Sequence, residues 1–259
     1  MIMIDTHCHL YVEEFDADRG AMMTRAENEG VTNFFLPAID KKAMPRLLEM
    51  EAGFAKRCHA MAGLHPCSVK ADFEAELQFV EECLKKRRFA AVGEIGLDFY
   101  WDKTFVAQQY NAFERQISLA LEYELPIVIH CRDAMKECIE TVSKYSKRGL
   151  RGIFHCFGGS IEQAEEIVAR GFYLGIGGVV TFKKSGLDQV IAKIGLDSLV
   201  LETDAPYLSP VPFRGKRNES AYLKYISEAI AAATGTTKDE VAAITTRNAK
   251  NVFGPQYFP

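Results

Sequence analysis

The chain of 259 residues has no apolar run approaching the ~18–20 residues of a membrane-spanning helix. Its start lacks a basic leader followed by a hydrophobic stretch, so no signal peptide is expected and the expected setting is cytoplasmic. There is no Pro/Gly/Ser-rich linker and no low-complexity segment, which leaves a single domain over 1–259 as the expectation. None of the seven cysteines forms a CxxC pair, and an odd number scattered in this way reads as reduced thiols rather than a disulfide framework. Positive charge is not in excess: 31 Lys and Arg stand against 35 Asp and Glu, a net charge of −4. That excludes a protein that coats nucleic acid through a broad basic surface, but not an enzyme that grips a few phosphates.

What the chain does have is alternation. Short apolar or β-branched runs at 2–7, 33–38, 58–64, 90–96, 126–131, 152–156, 172–177 and 198–204 read as strands bounded by turn signals. Between them lie stretches with apolar residues at helical spacing, such as 112–124, 134–145 and 161–170, and 219–248 supplies the last helices. Gly30 and Gly171 follow helical stretches at the position of a C-cap. Strand ends recur every ~28 residues, close to one βα unit. Eight such units predict an α/β fold of the (β/α)8 barrel type. A doubly wound open sheet is the competing architecture, but no glycine-rich phosphate fingerprint follows the first strand.

Histidine is scarce, six in all, and two of the six fall within the stretch DTHCHL. On an extended chain His7 and His9 face one side and Cys8 the other. Cys131 and Cys156 also directly follow histidines, so all three thiols are expected to point outward to packing helices. His65, His130 and His155 fall at the ends of the third, fifth and sixth strands, Glu94 in the fourth and Asp204 at the end of the eighth. In a barrel this is one rim, the one on which active sites are built. His59 lies at the start of its strand and reads as structural. A carboxylate within an apolar strand, as at Glu94, is costly to bury unless it is paired or bound to metal. Glu202 sits two residues before Asp204 on the same expected face. Four imidazoles and two carboxylates exceed one tetrahedral zinc and suit two metal ions sharing a carboxylate. Mixed nitrogen and oxygen ligation suits Mn²⁺, Zn²⁺ or Fe²⁺ and permits Mg²⁺.

The stretches IDTHCHL (4–10), AGLHP (62–66), VGEIGLDFYWDK (92–103), PIVIHCRDA (126–134), GIFHCFGG (152–159), ETDAPYLSPVPFRGKRN (202–218) and RNAKNVFG (247–254) together resemble the TatD-type metal-dependent deoxyribonucleases, within the amidohydrolase-like barrels. The resemblance spans essentially the whole chain. It departs at Ser220, where the family often has proline. It implies that His7, His9 and Asp204 hold one divalent ion, that His130 and His155 hold a second, and that Glu94 bridges them. Mg²⁺ or Mn²⁺ is implied in function, with Zn²⁺, Fe²⁺ or Ni²⁺ possible as bound. The implied activity is 3′–5′ exonucleolytic hydrolysis of single-stranded DNA, with Asp204 as general base and Glu94 at the catalytic centre.

Other residues read as substrate contacts. His65 is not needed as a ligand and is expected on the scissile phosphate or the leaving oxygen. Arg132, two residues beyond His130, suits a phosphate oxygen, or a salt bridge on the rim. Phe99, Tyr100 and Trp101 could stack on bases or pack under their loop. The basic run 214–217, with Arg214 first, and the pair Lys183 and Lys184 could meet phosphates or stay solvated. A metal-dependent hydrolase of a small ester, lactone or amide is the alternative, since fold does not fix function. A metal-binding scaffold acting through a partner is a third reading, disfavoured by the complete ligand set. Neither a membrane nor an obligate protein partner is expected.

Overall fold

The structure is a computed structural model and describes residues 1–258. Eight parallel strands alternate with helices: β1 (Met3–Asp5), α1 (Arg19–Asn28), β2 (Val31–Leu36), α2 (Met44–Gly53), β3 (Cys58–Ala60), α3 (Phe73–Lys86), β4 (Val92–Asp98) and α4 (Val106–Glu122), then β5 (Ile127–Arg132), α5 (Met135–Ser143), β6 (Gly152–Phe154), α6 (Ile161–Ala169), β7 (Tyr173–Ile176), α7 (Leu187–Ile194), β8 (Leu199–Leu201), α8 (Leu223–Thr234) and α9 (Lys238–Phe253). The strands run in two arcs, β1-β2-β3 and β4-β5-β6-β7-β8. A parallel bridge from Ala62 to Val92 joins the arcs at one seam. At the other seam the Thr6 amide donates to the Leu201 carbonyl at 3.0 Å and the Asp204 amide to the His7 carbonyl at 2.9 Å. Together the seams close the (β/α)8 barrel.

The second, fourth and fifth strands have the length the sequence predicts, and the other five are shorter. The third stops at Ala60 rather than 64, and the eighth at Leu201 rather than 204. Beyond these points single amides still reach neighbouring strands, Met61 to the Leu36 carbonyl and Ala62 to the Ala91 carbonyl after β3, Glu202 to the Ile176 carbonyl and Asp204 to the His7 carbonyl after β8, but they switch from one neighbour to the other and form no continuous ladder. The first and last helices of the C-terminal stretch are α8 and α9, and α9 opens with a capping box in which Thr237 and Glu240 satisfy each other's backbone amides. Gly30 has φ +83 and Gly171 φ +80, the left-handed C-cap geometry expected of them. A Cβ on Gly30 would also collide with the Met1 carbonyl oxygen.

Side chains alternate across each strand, and the two faces have different partners. Met3, Phe34, Phe154 and Leu199 face the helices. Ile4, Phe35, Met61, Val128, Ile153 and Val200 face the barrel axis, where Val252 and Phe253 of α9 close the lower end. Phe253 stacks on Phe35 with ring centroids 3.7 Å apart. The lower interior is therefore largely apolar and plugged, and the charged groups on the axis are confined to the upper end.

His59 belongs to the plugged end. The Asn33 side-chain amide donates to His59 Nε2 at 3.0 Å and to the Tyr257 carbonyl at 2.9 Å, tying the tail to the barrel floor. His59 must be neutral to accept that bond, and burial holds its pKa down at about 4. The unfolded chain then binds the extra proton between about pH 4 and the ordinary 6.5, so stability falls as pH drops through that window. A shift of this size corresponds to on the order of 3 kcal/mol. Urea unfolding at pH 7 and pH 4.5 should show a smaller pH effect in His59→Gln, which keeps an acceptor but cannot titrate. Equal losses in the two proteins would contradict a neutral, hydrogen-bonded His59.

Candidate metal centre

Five of the six histidines and four carboxylates meet at the upper end of the barrel. Each arrives from a strand end: His7 and His9 just past β1, His65 past β3, Glu94 and Asp98 within β4, His130 within β5, His155 past β6, Glu202 and Asp204 past β8. Glu94 stands at the middle and its two oxygens face different groups. Oε2 is 3.2 Å from His7 Nε2 and 3.6 Å from His9 Nε2. Asp204 Oδ1 completes that side, 3.7 Å from His7 Nε2 and 3.5 Å from His9 Nε2. Oε1 is 2.8 Å from His130 Nδ1, 3.5 Å from His155 Nε2 and 3.4 Å from His65 Nε2.

The charges here have no lysine or arginine against them. Every ion pair of Glu94, Asp98, Asp204 and Glu202 among the described residues is to a histidine. Glu94, Asp98 and Glu202 are at most 2% exposed. Burying carboxylates on this scale needs positive charge, and the donor set offers the place for it. Two ligands on one ion with bonds of ~2.1 Å stand roughly 3.0–3.5 Å apart. The Nε2 atoms of His7 and His9 are 3.3 Å apart. The nitrogen and oxygen donors thus fit divalent cations on either side of Glu94.

Hydrogen bonds on the far side of each ring decide which nitrogen faces the centre. Tyr11 donates its hydroxyl proton to the Pro37 carbonyl at 2.7 Å, so its oxygen must accept from His9 Nδ1 at 3.1 Å. That leaves the His9 Nε2 lone pair inward. His130 Nε2 donates to Asp98 Oδ2 at 2.8 Å and turns Nδ1 inward. Glu202 Oε1 lies 3.0 Å from His155 Nδ1 and also accepts the Cys156 amide at 2.6 Å, leaving Nε2 inward. Outer partners of this kind fix tautomer and ring orientation in metal sites. The contact of Glu202 with His155 is an ion pair: neither His155 Nδ1 nor His7 Nδ1 makes a hydrogen bond among the described residues, and the two rings are stacked with centroids 3.5 Å apart.

His65 is wired the opposite way. Its Nδ1 accepts the Cys67 amide at 3.1 Å. The neutral ring must therefore carry its proton on Nε2, the atom that faces Glu94. His9 turns a lone pair to the centre, His130 and His155 can do so once they give up the proton that faces Glu94, and His65 turns an N–H.

Burial would raise the Glu94 carboxyl, but His65, His7, His155 and the bond from His130 outweigh it and hold the group well below the usual range. Burial would likewise lower His155, yet Glu202 and Glu94 push it up to about 10. His130, bonded to carboxylates through both nitrogens, is raised for the same reason. Without metal His155 carries an extra proton where a cation would otherwise sit.

The remaining sequence-predicted residues surround a cavity of about 620 Å³ above the centre, lined by His65, Trp101, Arg132, Asp204 and Tyr207 among others. Tyr100 and Trp101 do not pack under their loop: they are 53% and 67% exposed. The Arg132 guanidinium lies 4.2 Å over the Tyr100 ring rather than in a salt bridge. Arg214 lies outside the cavity, 4.2 Å over Phe182. Two expectations need correction. Cys156 lines the cavity instead of facing a helix, because its residue takes a left-handed turn with φ +47; Cys131 borders the cavity but packs, as expected, against the helix-side core beside Cys138 of α5. Glu202 and Asp204 do not share a face: Asp204 also has positive φ, +57, so the chain swings between them and Glu202 lies behind His155.

Sequence reasoning passed over Asp98, Tyr11 and Asp5. Asp98 is four residues beyond Glu94 and so on its strand face, and Tyr11 is two beyond His9; both were legible as alternation. Asp5 was not. It accepts the hydroxyls of Thr203 and Ser220, each at 2.6 Å, and so ties β1 to the loop after β8 beneath His7. Ser220, the departure from the family's proline, supplies one of those two bonds.

The wiring makes two predictions. Metal binding near neutral pH must expel the extra proton on His155, so calorimetry in buffers of different ionisation enthalpy should register net proton release, with affinity falling as pH is lowered. Release of no protons would contradict a charged His155. Asp98→Asn, which loses the acceptor for His130, should weaken metal binding or activity by about 10–100-fold, and unchanged metal affinity together with unchanged activity would remove Asp98 from the site.

Comparison with known proteins agrees with this geometry. The family described as TatD related DNase matches residues 4–254. The uncharacterized metal-dependent hydrolase YabD of Bacillus subtilis is 40% identical over 97% of this chain and 99% of its own. The 3′-5′ ssDNA/RNA exonuclease TatD of Cronobacter sakazakii is 32% identical over 97% of both chains. The crystal structure of YjjV, a TatD homolog from Escherichia coli, superposes with a TM-score of 0.91 at 31% identity, covering 97% of each chain. The barrel with its rim of histidines and carboxylates is that of a metal-dependent hydrolase, and the chain belongs to the TatD-related DNase family.

Proposed function

We propose that the protein is a two-metal phosphodiesterase that removes nucleotides from the 3′ end of single-stranded DNA. The observation that carries the reading is Glu94, whose two oxygens face separate donor groups. In this reading His7, His9 and Asp204 would hold one ion and His130 and His155 the other, with Glu94 available to both. Bound Mg²⁺ or Mn²⁺ would neutralise the phosphate and make a water more acidic, as would Zn²⁺, Fe²⁺ or Ni²⁺ if those were present.

The chain's own groups supply the rest. Asp204 borders the cavity and is the more open carboxylate, its side chain 13% exposed against 3% for Glu94. It is positioned to take the proton of the attacking water. His65 presents Nε2–H, a donor for a non-bridging phosphate oxygen or for the departing sugar oxygen. Arg132 at the mouth offers a planar fork to phosphate, and Tyr100 and Trp101 offer faces to a base. A relative bearing the exonuclease name at 32% identity supports the substrate class.

The test uses protein stripped of metal, reloaded with Mg²⁺ or Mn²⁺ and given 5′-labelled single-stranded DNA. Stepwise shortening from the 3′ end is expected, with Glu94→Ala and Asp204→Ala at background. His65→Asn should keep metal binding and lose about 10²–10⁴-fold in kcat. Activity on esters or lactones with none on phosphodiesters would replace the nuclease reading by that of a small-molecule hydrolase.

A further inference from the structure

Among the described residues, exposed large apolar side chains are confined to two places. Met1 and Ile2 lie at the chain start, and the other five, Tyr100, Trp101, Tyr207, Leu208 and Val211, lie on the loops after β4 and β8. The first loop, with Arg132, forms one wall of the cavity. Tyr207 and Leu208 form the opposite wall, and Tyr207 meets His9 edge-on with ring centroids 5.9 Å apart. Leu208 is held with φ +51, a left-handed conformation that is unfavourable for a branched side chain, and yet it is turned out to solvent.

Beyond this second wall the loops after β7 and β8 form one surface. The Val211 amide donates to Thr181 Oγ1 at 2.9 Å, Arg214 stacks on Phe182, and a Cβ on Gly178 would collide with the Leu208 carbonyl oxygen. Segments 177–187 and 205–218 contain no acidic residue in a chain whose net charge is −4. Lys183, Lys184, Arg214 and Lys216 are exposed there, and none has an ion-pair partner among the described residues. Arg217, by contrast, is spent on Asp18.

We propose that this ledge is the seat of the strand body, the nucleotides upstream of the scissile bond, while the terminal nucleotide lies against Trp101 and Arg132. The inference rests on the nuclease reading and extends it. A terminal nucleotide needs one base contact and one phosphate contact, which the Arg132 wall offers. A strand body carries a phosphate at every step and needs a row of cations beside apolar faces. Among the described residues, only the ledge provides several free cations next to exposed Tyr207, Leu208 and Val211.

The experiment follows anisotropy of a 5′-fluorescein-labelled dT12 with hydrolysis-resistant phosphorothioate linkages on metal-loaded protein. It compares wild type with a ledge variant (K183Q/K184Q/K216Q) and a charge-matched control (K56Q/K86Q/K147Q), whose lysines precede β3, β4 and β6 at the opposite end of the barrel. The ledge variant should lose about tenfold in affinity, and the slope of log affinity against log salt should shrink by about 2, as for three lost phosphate contacts on a single strand. The control should bind as wild type, and a labelled dinucleotide should not distinguish the ledge variant from it. Equal affinities in all three proteins, or equal losses in both variants, would overturn the ledge. Ledge-dependent binding without cleavage of unlabelled dT12 would leave the ledge standing and overturn the nuclease activity instead.

Discussion

The upper half of the barrel is organised around a carboxylate that no lysine or arginine of the described residues neutralises. Glu94 is buried at the centre of five imidazoles, and the other carboxylates nearby are paired only with those same rings. A protein of marginal stability cannot keep such a cluster for packing alone. The strand ends bend inward to aim donors at Glu94, and the outer groups Tyr11, Asp98 and Glu202 fix which ring nitrogen they aim. Even Gly175 answers to this arrangement, because a Cβ there would strike the Glu202 carboxylate.

The lower half is the complement. Phe35, Phe253 and the inward-facing aliphatic residues fill the axis, and Asn33, His59 and Tyr257 seal the floor. A packed floor gives the rim a rigid base, so donors from separate strands can converge within hydrogen-bonding distances of one another. Two histidines of the same chain therefore have opposite duties: His59 stays neutral to hold the floor, whereas His155 is held between carboxylates.

Much of this is legible in the amino-acid sequence. The ~28-residue recurrence of strand ends sets the unit of the barrel, and the coincidence of His7, His9, Glu94, His130, His155 and Asp204 with strand ends locates the centre. Other features are not legible there. The lengths of five strands are overestimated, because an apolar run does not show where the backbone stops forming a continuous ladder. Cys156 and Asp204 turn through positive φ, and neither residue type announces it, so simple alternation misplaces Cys156 and Glu202. The role of Asp5 depends on Thr203 and Ser220, about two hundred residues away in sequence, and only closure of β8 onto β1 brings them together. Tautomers, finally, depend on partners across the ring: nothing in the sequence separates His65 from His130, yet the outer nitrogen of His65 accepts a backbone amide and that of His130 donates to Asp98.

The central claim is that Glu94 joins two cation sites. Manganese-loaded crystals measured for anomalous scattering test it most directly. The account predicts two peaks, roughly 3.5–4 Å apart, one beside His7, His9 and Asp204 and one beside His130 and His155, with a Glu94 oxygen on each. A single ion in wild-type protein, or two ions with Glu94 bonded to neither, would contradict it.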